Sequence, residues 1–245
     1  MNASRFISLN CDLGEHEPLR RTQALMRYID AANIACGGHA GDLPRMTACV
    51  ALANAHGVDI GAHPGPASED MGRRNTAPIL PTPFATALLQ QTSALAAVAK
   101  QQNTRLKHIK LHGTWYHATE NDAALRTTYL DVVATYFPKL AIYALAGGTV
   151  IAAARDRGLR VKAELFADRG YLAHGQLVPR GNAKAVLHHP AEIHARLTAW
   201  LKSGEMPVVG GGQVRLDGDS VCVHGDGETA LAVVKALQAL RRPKV

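Results

Sequence analysis

The sequence predicts an α/β fold in which parallel strands, each followed by a helix, close into a TIM-like (β/α)7 barrel spanning residues 1–245 as a single domain. Two observations predict it. Short apolar, β-branched segments alternate with longer Ala- and Leu-rich segments of helical period from one end of the chain to the other, which is the pattern of repeated βα units. The chain of 245 residues is also long for one domain, yet of the size at which such a barrel closes as one unit.

Taken in order, the first strand is expected over 6–10, where Phe6, Ile7 and Leu9 precede Asn10, with a helix over 18–31. The second pair is 33–36 and 43–56; Asp42 ahead of Leu43-Pro44 is placed to cap that helix. Strands over 58–61 and 108–111 flank a long Ala/Leu-rich helix over 83–102. Further strands are expected over 141–145, 160–164 and 221–224, with helices over 123–137, 149–157, 191–202 and 228–240. Seven units joined without a Ser/Gly linker favour a closed or nearly closed barrel, an open doubly wound sheet being the alternative. The glycine-punctuated stretch 167–190 reads as a functional loop or small hairpin, and 207–209 as a short extra strand.

With 47% hydrophobic and 19% charged residues the chain is globular in composition. Met1 to Ile7 carries one basic residue and no long apolar run, so neither signal peptide nor membrane anchor is expected and the protein reads as cytoplasmic. Cys11, Cys36, Cys49 and Cys222 lack CxxC spacing and read as reduced, buried thiols, Cys11 being the least clear because it adjoins Asp12. The formal charge of +7 comes from dispersed pairs such as Arg20-Arg21 and Arg241-Arg242. No basic stripe interleaved with aromatics emerges, so small anionic substrates are favoured over nucleic acid.

Chemistry-bearing residues gather where strands run into helices, and in a parallel barrel those ends share one rim. They are Asn10, Asp12 and Glu15; Asn33, His39 and Asp42; His63; Lys110 and His112; Glu164, Asp168 and Arg169; His224 and Asp226. Histidine trades protons near neutral pH or ligates metal as neutral imidazole, although each is also compatible with a structural, hydrogen-bonded ring. Asp42 and Asp226 have an equal reading as helix caps. Asp12 and Glu15 are harder to assign to packing, and Asp12 is the first choice for general base or metal ligand. Lys110, Arg73, Arg169 and Arg180 supply cations suited to a carboxylate or phosphate. The remaining histidines read as structural or solvent-facing, His117 excepted.

The blocks 10–15, 33–42, 61–64, 108–113, 166–171 with Leu177-Val178-Pro179-Arg180, and 222–226 together resemble the LamB/YcsF family. The resemblance runs in order over nearly the whole chain. It implies a distorted seven-stranded barrel of the glycoside hydrolase/deacetylase kind. It also implies hydrolytic opening of 5-oxo-L-proline to L-glutamate, coupled to ATP hydrolysis and carried out with 5-oxoprolinase B and C subunits. The chain has no GxxxxGK[ST] loop, so ATP chemistry is expected on the partners. On this reading Asp12, with His39 or His63, activates water, and Lys110 or His112 stabilises the oxyanion. Asn10, Glu15, Asn33, Asp42, Arg73, Glu164, Asp168, Arg169, His224 and Asp226 bind a small anionic lactam. Ser8, His16, Leu111, Thr114, Trp115 and His117 depart from the family pattern and touch the expected pocket, which leaves open another lactam or amide. The alternatives are a metal-dependent amidase or deacetylase, its divalent ion on Asp12, His39 and His63, and a non-catalytic binding subunit of a complex.

Overall fold

A computed structural model describes residues 7–67, 70, 72, 78–225 and 229–238. Its elements run β1 (Ser8–Leu13), α1 (Leu19–Met26), β2 (Ala31–Ala35), α2 (Leu43–His56), β3 (Asp59–His63) and α3 (Pro81–Gln101). They continue with β4 (His108–Lys110), α4 (Gly113–Asn121), α5 (Ala123–Tyr136), β5 (Ala141–Leu145), α6 (Thr149–Asp156) and β6 (Val161–Phe166). The last are α7 (Pro190–Ser203), β7 (Glu205–Pro207), β8 (Gln213–Arg215), β9 (Ser220–His224) and α8 (Ala230–Gln238). Seven parallel strands form a closed barrel in the order β1-β2-β3-β4-β5-β6-β9. Closure comes from β9 lying between β6 and β1, with Asp12 opposite His224 and Phe166 opposite Cys222. The open doubly wound alternative is thereby overturned.

The strands are buried on both faces, as parallel strands under a ring of helices must be. Their outward residues, Leu9, Cys11 and Leu13 in β1 for instance, join the apolar layer beneath the helices. Inside, the usual packing of branched aliphatic side chains gives way to hydrogen-bonded polar groups. Asn10 donates to Ser220 Oγ at 2.8 Å, Asn33 donates to Asn10 Oδ1 at 2.7 Å, and His108 Nε2 lies 2.7 Å from Asn33 Oδ1. Each of these buried residues thus finds a partner inside the barrel, His108 through Nε2 alone, which is what makes its burial tolerable. Gly61 of β3 makes room for this network: a Cβ there would stand 2.0 Å from His108 Nε2.

Several boundaries differ from those expected. Helix α1 stops at Met26 rather than 31, because Ala31 already pairs with Asn10 and Asp30 turns the chain by accepting from Leu9 N at 2.9 Å. Strand β3 reaches His63, two residues further than read. Helix α4 was not expected: Gly-Thr-Trp-Tyr-His has poor helix propensity, and its register is set by burial of Trp115 and Tyr116. The extra strand lies at 205–207, not 207–209, and pairs antiparallel with β8. The stretch 167–190 forms a strap with two isolated bridges, Arg169 to Val186 and Tyr171 to Leu177. Asp42 does cap α2, accepting from Arg45 N at 2.8 Å, and Gly57 ends that helix in the left-handed region. All four cysteines are free and buried.

Gly61→Ala is expected to destabilise the fold by about 1–3 kcal/mol through overpacking against His108. Gly181→Ala, whose Cβ would meet nothing within 4 Å, should change stability by less than about 0.5 kcal/mol. Urea denaturation of the two variants beside the parent checks both.

Candidate active site

Three groups of side chains meet at the C-terminal mouth of the barrel. At the base lies the Lys110 ammonium, 2.9 Å from Asp12 Oδ1, 2.9 Å from Glu164 Oε1 and 3.0 Å from Cys222 Sγ. All four residues are buried. Asn33 donates to the same Asp12 oxygen at 2.8 Å, and the Tyr116 hydroxyl donates to Glu164 Oε2 at 3.1 Å. Burial works against the ionised form of Asp12, yet the Lys110 ammonium bonded to it holds its carboxyl well below the usual range. Burial pushes Glu164 up, with Lys110 opposing, while for Lys110 itself burial is outweighed by Asp12, Cys222 and Glu164 and the pKa rises. Two carboxylates sharing one ammonium are thus driven apart in proton affinity.

The second group follows from the loops after β1, β2, β3 and β4. Glu15 Oε1 lies 3.2 Å from His39 Nε2, 3.3 Å from His112 Nδ1 and 3.9 Å from His63 Nε2. The rings of His39 and His112 stack at 3.6 Å, and His63 stands edge-on to both. His63 Nδ1 is 2.9 Å from the Lys110 carbonyl, and a carbonyl only accepts, so that nitrogen carries the proton. His63 Nε2 therefore presents a lone pair, 3.5 Å from Asp12 Oδ2 and 3.0 Å from His112 Nδ1. Burial pushes His63 down to about 3 and lowers His39, so both rings are neutral at neutral pH. Gly65 is required for this closeness, since a Cβ on it would meet His39 Nδ1 at 2.6 Å. The turn that presents Glu15 is held by Glu17, whose carboxylate accepts from Gly14 N at 2.7 Å, Glu15 N at 3.1 Å and Thr22 at 2.7 Å. Glu15, His39, His63 and His112 bring one ligand atom each to within 4.8 Å of one another, a nitrogen and oxygen set suited to a divalent transition metal.

On the opposite wall His224 Nδ1 lies 2.9 Å from Asp168 Oδ2, and Arg180 Nη2 lies 3.0 Å from His224 Nε2. A guanidinium has no acceptor, so His224 Nε2 accepts and Nδ1 donates to Asp168. This chain of contacts fixes Arg180 beside a cavity, about 390 Å³ including its open mouth, that Asp12, His63, Lys110, His112 and His117 also line. Burial, with Arg169 and Arg180 nearby, pushes His117 down to about 4. Arg169 donates to the carbonyls of Ala185 at 3.0 Å and Val178 at 2.6 Å, pinning the strap over the pocket.

Of the residues singled out in the sequence, Asp12, His63, Lys110, His112, Arg169 and His224 border this cavity. His39 and Glu15 stand behind His63 and His112, Asp168 behind His224, and Glu164 beneath Lys110. Asn10 and Asn33 lie deeper, orienting Asp12. Asp42 is an exposed helix cap, distinct from the interior network. Arg73 and Asp226 lie outside the described residues. Among the four possible metal ligands, His39 and His63 were expected; Glu15 and His112 take the part foreseen for Asp12, whose Oδ1 is engaged by Lys110 and Asn33. Sequence reading missed Tyr116, Cys222 and Glu17. The thiol that reaches the site is that of Cys222, not Cys11, and only strand parity relative to His224 pointed inward.

Lys110→Met would strand two buried carboxylates, and is expected to cost about 3–5 kcal/mol of folding stability. Adding Glu164→Gln should recover part of that loss, a non-additivity that a double-mutant cycle in urea would read.

A profile of the LamB/YcsF family matches residues 7–243. The 5-oxoprolinase A subunit of Bordetella pertussis is 39% identical over 241 residues, covering 96% of this chain and 95% of the relative. Its counterpart in Limosilactobacillus fermentum is 41% identical over 236 residues, covering 95% and 94%. The crystal structure of a lactam utilization protein from Thermus thermophilus has a TM-score of 0.85 at 33% identity, covering 95% and 94% of the two chains.

Proposed function

Because the chain belongs to the LamB/YcsF family, we propose that it acts as the A subunit of a 5-oxoprolinase, opening 5-oxo-L-proline to L-glutamate with ATP-using B and C subunits. It works in the cytoplasm as one barrel domain. Among the described residues no helix is long and apolar enough to cross a membrane. The observation that carries the proposal is a single cavity with an ionised Asp12 beside the neutral His63 Nε2 at one side and the oriented Arg180 at the other. Such a cavity suits a small ring that bears both an amide to be attacked and a carboxylate to be held.

In this reading Arg180 pairs with the substrate carboxylate, since guanidinium and carboxylate match in geometry and charge. The attacking water is oriented by Asp12, and its proton passes to the Asp12–His63 pair. Lys110, its donors directed to Asp12, Glu164 and Cys222, keeps Asp12 ionised and supplies positive field beneath the developing oxyanion. An unstrained lactam resists hydrolysis, which is why activation by ATP on the partner subunits is part of the proposal. The residues that could hold a divalent metal are Glu15, His39, His63 and His112, and the fixed His63 tautomer fits that role. A metal there would supply Lewis acidity and lower the pKa of a bound water. That cluster favours one second reading, a metal-dependent amidase or deacetylase acting on another small lactam or amide without ATP.

Incubation with 5-oxoproline and ATP, with and without B and C subunits, separates the two readings. Glutamate released only by the full mixture supports the 5-oxoprolinase reading; none from an assembled mixture transfers the assignment to another lactam or amide. Asp12→Asn is expected to lower turnover by about 10²–10⁴-fold. Arg180→Gln should raise KM for the carboxylated lactam by roughly tenfold or more while leaving an uncharged pyrrolidinone unaffected. Elemental analysis of the purified chain, repeated for His63→Ala, tests the ligand cluster: stoichiometric metal in the parent and its loss from the variant is the expected result.

A further inference from the structure

A second concave space lies on the far side of the strap, bounded by the strap, the first turns of α7 and strand β7. Its volume is about 1100 Å³ including its open mouth. Val186, Leu187 and Val208 form half-buried apolar walls, while Lys184, His188 and Glu192 are exposed at the rim. Arg196 lies against it and is only 8% exposed. Among the described residues no carboxylate stands within ion-pair distance of its guanidinium; Asp168 and Glu192, the latter one turn earlier on α7, act on it from further away. Its Nε donates to Met206 Sδ at 3.0 Å, its plane lies 5.2 Å over the Tyr171 ring, and Nη2 is buried without a hydrogen-bond partner.

A buried cation with one soft acceptor is an expensive arrangement for packing alone. Arginine carries five donors in a fixed fork, and desolvating it without a matching anion costs several kcal/mol. An apolar side chain at this turn of α7 would bury as well without that cost. Lys184 and Glu192 at the rim balance each other in charge, which leaves the Arg196 guanidinium as the surplus positive charge among the lining residues. The walls, by contrast, offer carbon surface, which inorganic ions do not use.

We propose that this cavity is a binding site for a small organic carboxylate, its head on the Arg196 guanidinium and its apolar body against Val186, Leu187 and Val208. It is separate from the catalytic pocket, yet the two share a wall: Arg169 faces the one and Gly170 the other. An occupant braces the strap from outside.

Calorimetric titration of the intact chain with hexanoate, and with hexanamide as its uncharged match, tests the site. Hexanoate is expected to bind saturably below about 10 mM and hexanamide at least about tenfold more weakly. Arg196→Gln should lose the hexanoate response by about tenfold or more. Should that variant not fold, Ala195→Trp fills the space from the exposed face of α7 without touching Arg196, and it too should abolish the response. Absence of saturable hexanoate binding by the parent, equal binding of hexanamide, or undiminished binding in Ala195→Trp would each overturn the proposal.

Discussion

One ammonium group organises the interior of this barrel. Lys110 sits where β1, β6 and β9 converge and is bonded to a residue of each: Asp12, Glu164 and Cys222. In water such an ion pair is worth little; enclosed by low-dielectric walls it becomes strong, and losing one member leaves the others uncompensated. The strands that carry these residues are therefore locked in register not only by backbone ladders but by a charge that must be neutralised from three directions. The same arrangement sets the electrostatics of the mouth. Asp12 is held ionised while Glu164 is driven towards its neutral form, so the carboxylate nearer the cavity is the one that carries charge.

Above this charged floor the site is built from imidazoles. Three of them pack within stacking and edge-on distance of one another around Glu15. Three protonated rings could not share this space, because like charges so close and so buried repel strongly. Burial holds His39 and His63 neutral beside the ionised Glu15, the state in which their nitrogen lone pairs are free to ligate or accept protons. Its compactness depends on Gly65, which leaves room for His39 and His112 to lie face to face.

Much of this was legible in the sequence, and what was not has identifiable causes. Helix α2, with Asp42 and Pro44 at its start and Gly57 at its end, and strand β5, a plain apolar run, lie where local signals place them. Helix α4 carries no such signal, because aromatic burial and not propensity decides it. Asp12, His63, Lys110 and His112 were identifiable because polar residues at strand ends have no packing reason to be there. Tyr116 and Cys222 were not, since an aromatic or a cysteine in such a position reads as core. The division of labour between Asp12 and Glu15 was also hidden: it depends on which carboxylate Lys110 reaches, a matter of three-dimensional distance alone.

The strap across the mouth is fastened in an unusual manner. Arg169 grips it through the main-chain carbonyls of Val178 and Ala185, groups that every residue type possesses. Its fastening at those two points is thus indifferent to which side chains stand there, while Tyr171 and Leu177 anchor it to the core. Arg180, which faces the cavity from an exposed position, stands where substitutions can accumulate without refolding the segment. In evolutionary terms the strap is an interchangeable faceplate: the barrel and its charged floor can be inherited intact while the choice of ring, and of the group the ring carries, is rewritten in a few codons.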